Sequence, residues 1–421
     1  MRSLRTLLLF LAVVLSQTVS ARAFTREVYV WQRQFSPAVF QALREVRDVT
    51  DGSAVLALEV SWSKGRPEVF RSSVDFAALA AAGRPVGLVL RVGPYPGITT
   101  EGEGPARFLV DLVMELLASA RRQGLEPAEL QVDFDCASAK LGGYRVWLEA
   151  LRQAAAPVKL TFTALPDWLG RDDFSALARA ADGFVLQVHS LEKPTGPDEI
   201  FELCDPVRAW AWIQLAGAIG VPFRVALPTY GYRLAFDATG RFEALSAEGP
   251  AVARPAGTRW RTVRTDVSAV SGLARRLASA PPAGCTGVIW FRLPVEGDQL
   301  NWNLVTLKTA LRDKPPVSRL EVEVVWVESG LAEVSLVNRG EQDEKFPTGI
   351  QARWAGDETC RGADGLGGYQ VDAALLRPQV VALTATSGVA DRRIAPERRC
   401  KIGWMRFSHE IALTTQLFVS P

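Results

Sequence analysis

With 421 residues, of which 48% are hydrophobic and twelve are tryptophan, the chain has enough apolar material for one large core and a second domain. Its formal charge of +2 falls to about −1 without Arg2, Arg5 and Arg22 of the first 23 residues, so no basic surplus points to a nucleic-acid partner.

Residues 1–23 have a basic start, an apolar run from Leu7 to Leu15 and a small-x-small end at Ala21-Arg22-Ala23. This is the pattern of a secretory signal peptide cleaved near Ala23, too short to span a bilayer, and it predicts an exported protein, periplasmic or extracellular. Five cysteines in such a compartment allow two disulfides. Cys360 and Cys400 are the first candidate pair, a Cys136–Cys204 bridge remains open, and Cys285 is the expected free thiol.

From residue 24 onward, short β-rich apolar runs alternate with helical patterns. The runs are 26–33, 53–62, 85–95, 129–137, 158–166, 183–190, 223–232 and 287–294. Helical spacing appears at 37–46, 106–123, 144–154, 174–180, 207–218, 267–277 and 304–311. Eight such units within residues 24–315 predict an α/β fold, a (β/α)8 TIM barrel. A doubly wound open sheet is the competing topology, but no glycine fingerprint supports it. An insertion over 234–264, with two short β-like runs around Thr239-Gly240, follows strand seven. Past Pro315-Pro316 the pattern turns to two-residue alternation, which predicts a C-terminal all-β, sandwich-like domain over 316–421.

In a barrel of this kind, chemistry gathers at the C-terminal ends of the strands. The stretch "LQVDFDCAS" places Asp133, Asp135 and Ala137 on one side of strand four, with Val132, Phe134 and Cys136 on the other. Glu59 and Asp167 are further candidate catalytic carboxyls. Trp62, Tyr95, Gln187, His189, Tyr230, Tyr232, Trp290 and Arg292 are the candidate substrate-binding residues. Acids with aromatics and an imidazole on one face suit a carbohydrate or glycan ligand. No two-histidine metal motif, phosphate loop or Gly-x-Ser-x-Gly elbow is present, so neither metal nor cofactor is expected. Each candidate also has a structural alternative. The two aspartates could join strand ends, His189 could be a hydrogen-bonded lining residue, and the tyrosines could cap the barrel.

These motifs resemble glycoside hydrolase family 18, the chitinase-like barrels. "LQVDFDCA" is similar to that family's D-x-x-D-x-D-x-E signature on strand four, "LPTYGYRL" (227–234) to its strand-seven segment, and "GVIWFRLP" (287–294) to its last strand. The resemblance implies that Trp290 floors a sugar site. It also marks departures: Ala137 stands where the family carries its acid, and Gln187-Val188-His189-Ser190 replaces its strand-six M-x-Y-D. Most of the barrel also resembles an exported bacterial family, domain of unknown function 3142, including the D-x-D strand followed by Leu141 and Tyr144. Two functions follow as expectations: a glycoside hydrolase using strand-end carboxylates, or a non-catalytic glycan-binding protein on a degenerate barrel.

Overall fold

The computed structural model describes residues 24–95, 105–189, 194–247, 254–372, 377–389 and 392–418. The segment read as a signal peptide lies outside them. Eight parallel strands close into a barrel: β1 (Thr25–Val30), β2 (Gly52–Ser63), β3 (Val86–Val92), β4 (Glu129–Asp133), β5 (Lys159–Ala164), β6 (Gly183–Gln187), β7 (Phe223–Pro228) and β8 (Cys285–Phe291). Each strand pairs with its neighbour in sequence, and β8 returns to β1 through Thr25 opposite Gly287.

Two-residue alternation divides the side chains between two cores. Val28, Val30, Leu88, Leu90, Val132, Phe162, Leu186 and Leu227 face outward against the helices. Tyr29, Trp31, Leu56, Val89, Val185 and Ile289 fill the lumen. Strands covered on both faces explain the continuous apolar runs.

Among the described residues eight helices form the outer layer: α1 (Pro37–Val46), α2 (Phe76–Ala81), α3 (Pro105–Arg122), α4 (Leu141–Ala155), α5 (Asp172–Arg179), α6 (Pro206–Gly217), α7 (Val267–Ser279) and α8 (Leu304–Leu311). In α3 the buried residues are Leu109, Leu112, Val113, Leu116, Leu117 and Ala120, a single stripe at three- and four-residue spacing. Carboxylates mark helix starts: Asp205 accepts from the Val207 and Arg208 N–H groups, and Asp266 from that of Ala269. The short helix α2, one and a half turns behind Asp75, is absent from the sequence reading.

Another unpredicted feature is a hairpin. The far half of β2 turns at Lys64-Gly65, both at positive φ, and pairs antiparallel with Arg66–Arg71. The insertion after β7 is a three-stranded sheet, with Gly231–Phe236 between Phe242–Ser246 and Arg259–Arg264, slightly earlier in its start than expected.

Strands from Leu320 to Phe418 build an all-β region of two four-stranded antiparallel sheets and a two-stranded pair. Val334, Leu336, Ile350, Val381, Leu383 and Ile402 share its core. The hydroxyl of Thr306 in α8 donates to the Glu341 carbonyl at 2.7 Å and ties this region to the barrel. The Cys360–Cys400 pairing is overturned by strand register. Gly362 faces Arg406 and Gly365 faces Gly403, so Cys400 lies beside Gly367, at the far end of that ladder from Cys360. At about 3.3 Å per residue this separates the two by on the order of 20 Å, far beyond disulfide reach. All five cysteines are free thiols.

At the N-terminal end of the barrel, Arg224 of β7 is buried between Glu27 of β1 and Glu129 of β4. Burial works against its charge, but the two carboxylates prevail and hold its pKa above the ordinary arginine value. Arg224→Met would leave two acids facing each other in a poorly solvated site. The expected cost is about 3–5 kcal/mol in urea denaturation; a loss below about 1 kcal/mol would show that the triad is dispensable.

Candidate active site

The paired part of β4 ends at Asp133, earlier than the run to 137 predicts. Pairing with β3 stops there and pairing with β5 one residue earlier, at Val132, and the Cys136 N–H turns back to the Phe134 carbonyl at 2.9 Å. The expected division of side chains survives beyond the strand. Phe134 and Cys136 are buried in the outer core, with Phe134 stacked on Trp147 at 5.4 Å, while Asp133 and Asp135 face the mouth.

Register then gathers charge. Glu59 on β2 lies opposite Arg91 on β3, and Arg91 lies opposite Asp133 on β4. The Arg91 guanidinium sits 3.7 Å from Glu59 and 3.8 Å from Asp133, with the Trp31 ring 6.0 Å from its centre. Glu59 is also gripped by Arg33 through two bonds of 2.6 and 3.1 Å. Asp133 Oδ1 accepts from the Thr163 hydroxyl of β5 at 2.7 Å. Burial raises the pKa of Asp133; the Thr163 hydrogen bond and Arg91 oppose the rise, and Glu59 adds to it.

Asp135 reaches solvent, yet the protein around its carboxyl removes enough hydration to push its pKa up to about 7. The Asp133 charge adds to this, Arg91 counteracts it, and Asp167 contributes a smaller rise. Asp167 lies in the turn after β5 and accepts from Ser138 at 2.8 Å, which links it to the loop carrying Asp135. The structure therefore brings all four sequence-identified carboxyls to the β2–β5 half of the mouth.

The candidate substrate-binding set divides differently. His189 is 4% exposed and Tyr230 likewise 4%. A chain runs from His189 Nδ1 to the Tyr230 hydroxyl and on to that of Tyr232, each step 3.1 Å. Burial lowers the His189 pKa to about 3, so the ring is neutral. The insertion covers these groups: its Leu234, Phe236 and Val263, with Leu203 from the segment before α6, pack over both tyrosines. They brace the β6–β8 half of the mouth and do not line an open cleft. Gln187, half-buried, donates to the His189 carbonyl at 3.2 Å.

Trp290 is a correction. On β8 it points outward with Val288, is 1% exposed and packs on Trp302 at 5.5 Å, so it cannot floor a sugar site. Phe291, one residue on, faces the lumen against Trp31 at 5.0 Å and His189 at 5.7 Å. Arg292 is buried and turned toward Asp298 at 3.3 Å, folding the loop after β8. Trp62 shares the face of Val60, away from Glu59, and joins Tyr95 at 4.8 Å against the helix layer; both are half-buried outside the lumen. Lys140 donates to the Tyr95 carbonyl at 2.5 Å.

Arg91, Arg33, Trp31, Thr163 and Phe291 escaped the sequence reading. The alternation that selected Asp133 would have selected Trp31 and Arg33 on strand one and Arg91 on strand three. Among the described residues no group of three or more His, Cys, Asp or Glu is placed to hold a metal ion.

Residues 82–296 match a family model described as domain of unknown function DUF3142. The chain belongs to this family. A second model of unknown function, DUF8456, matches residues 323–408, within the β-rich region. No curated protein matches the sequence. Among solved structures, the C-terminal domain of a candidate chitinase from Desulfitobacterium hafniense is similar to this DUF3142 member at 12% identity and a TM-score of 0.50, over 69% of this chain and 98% of that one. A chitinase from Chromobacterium violaceum has 15% identity and a TM-score of 0.49, over 69% and 98% of the two chains. The Bacillus cereus spore cortex-lytic enzyme SleL has 14% and 0.48, over 70% and 75%. At such identity the first of these shows a shared barrel fold and nothing of activity.

The placement of Trp290 yields a direct test. Trp290→Ala is expected to cost about 3–5 kcal/mol of stability, as for a large aromatic removed from a packed core. A variant with unchanged denaturation but weakened glycan binding would return Trp290 to the site.

Proposed function

We propose that this DUF3142 protein is a glycan-active enzyme, a glycoside hydrolase in which Asp135 is the general acid. The observation that carries the reading is the placement of the Asp135 carboxyl at the barrel mouth, beside Asp133 and the loop tied to Asp167, where lost hydration pushes its pKa up to about 7. A group with that pKa holds a proton for a substantial part of the time at neutral pH and can pass it to a leaving-group oxygen in the transition state. Asp167 is the partner that would activate water or stabilise an oxocarbenium-like centre. Both oxygens of Glu59 are engaged by Arg33, whereas Asp167 is exposed beside the Asp135 loop. Glu59 thus serves by holding charge in place.

The packing supports a substrate seated over β2–β5, with Trp31 and Phe291 beneath it. The β6–β8 side, where the chitinase-like family places its strand-six tyrosine and aspartate, is filled by His189 and Tyr230. This argues for a two-carboxylate mechanism in place of attack by a substrate acetamido group. The leader at residues 1–23 favours an exported protein and hence a cell-wall or environmental polysaccharide as substrate.

The alternative is a glycan-binding protein without turnover, and Ala137 at the family's acid position is the observation in its favour. Reducing-end release and binding over a panel of polysaccharides, peptidoglycan and chitin fragments separate the two. For the enzyme, Asp135→Asn is expected to lower turnover by about 100-fold or more while leaving folding and binding intact. Wild-type activity should fall as pH rises through about 7, because the acid loses its proton there. Binding without release by both proteins would favour the second reading.

A further inference from the structure

Two neighbouring carboxyls raise the question of which one carries the proton. Burial alone would favour protonating the more enclosed of the two, Asp133. The geometry around them opposes that outcome. Asp133 Oδ1 accepts the Thr163 hydroxyl at 2.7 Å, and Oδ2 faces the Arg91 guanidinium at 3.8 Å. Among the described residues no donor hydrogen-bonds to the Asp135 carboxylate, which faces the mouth. The charged groups around the pair are Glu59 with its partner Arg33, Asp167 on the turn after β5, and Lys140 beyond the loop, and the titratable groups beside it are the Tyr29 and Tyr144 phenols and the Cys136 thiol, which burial pushes up and keeps neutral.

We propose that Arg91 is a positioning residue that decides where the proton resides, holding Asp133 as the anion so that Asp135 is left as the acid. The assignment deepens the reading of Asp135 as an acid and rests on it. Arg91 can act this way because its place is dictated by backbone register: β2 and β3 align it with Glu59, and β3 and β4 align it with Asp133. The Trp31 ring lies on a third side. Neither ion pair is short enough to be a charge-assisted hydrogen bond, so Arg91 works chiefly as a fixed charge and not as a bidentate clamp. The direction of its influence on both aspartates is the same, toward the anion. Its reach is greater for Asp133, with which it forms a direct pair.

Glu59 is then a counterweight. Through Arg91 it moderates the positive charge felt by Asp133, and its own charge raises the Asp133 pKa. Glu59 is not asked to touch substrate. The arrangement explains why an acid with both oxygens engaged by Arg33 stands in the same row as the pair.

The test needs no substrate. Aspartate-selective 13C labelling of the full chain, with Asp133→Asn and Asp135→Asn to assign the carboxyl signals, allows the pair to be titrated by NMR. In the wild type the step near pH 7 is expected chiefly on the Asp135 carbon. Arg91→Gln should raise that step by about one pH unit and spread it onto Asp133, whereas Arg91→Lys should stay close to wild type because the charge is kept. A folded Arg91→Gln protein whose step keeps its midpoint and its place on Asp135 would overturn the proposal. If Arg91→Gln does not fold, Glu59→Gln decides: it should lower the Asp133 midpoint, and an unchanged midpoint would count against Arg91 and Glu59 together. Absence of glycan turnover in a protein with the expected titrations would defeat the hydrolase reading and leave the Arg91 assignment standing.

Discussion

A cation held between two carboxylates across three parallel strands sets the electrostatics of the barrel mouth. The Glu59–Arg91–Asp133 row exists because β2, β3 and β4 are paired in a register that puts these three residues level. Closure of the barrel makes that register rigid, since slipping one strand by a residue would turn its whole lumen face outward. The row therefore inherits its precision from the core below it, where Leu56 and Val89 share the lumen with Tyr29 and Ile289. Asp135 gains its unusual proton affinity in a place whose neighbouring charges cannot easily rearrange.

The two halves of the mouth have different roles. Over β6–β8, aromatic rings and the insertion sheet seal a neutral histidine and two tyrosines in a hydrogen-bonded chain. Over β2–β5, acids and arginines meet solvent. A preorganised polar surface beside a rigid apolar wall is a sound basis for stabilising charge that develops beside it. The wall serves as support: His189 and the two tyrosines brace the insertion sheet against the barrel. A shared barrel fold does not by itself carry a shared mechanism.

How much of this could be read from the chain depends on the kind of physical signal involved. Barrel strands were legible because burial on both faces produces apolar runs, and α1 and α8 have the predicted bounds because proline at the start of one and apolar spacing in both leave little ambiguity. The gathering of four carboxyls at one end of the barrel was legible because strand alternation and the position of each strand end fix which way such side chains point. Trp290 was misread because an aromatic fits equally well on either side of a barrel wall, and only its parity relative to Ile289 and Phe291 shows the side. His189 and Tyr230 were misassigned because their burial depends on the insertion, a contact distant in sequence. Arg91 was overlooked because one arginine among many has no local signature; its meaning comes from the strands on either side.

The central claim is that the mouth of this barrel keeps one carboxyl protonated near neutrality, and the most direct measurement is the titration of Asp135 itself in the unmodified protein. A carboxyl signal assigned to Asp135 and followed from about pH 3 to 9 should show its midpoint near 7. A midpoint near 4, the value of an ordinary aspartate, would contradict the account, because such a group would be an anion at neutral pH with no proton to donate.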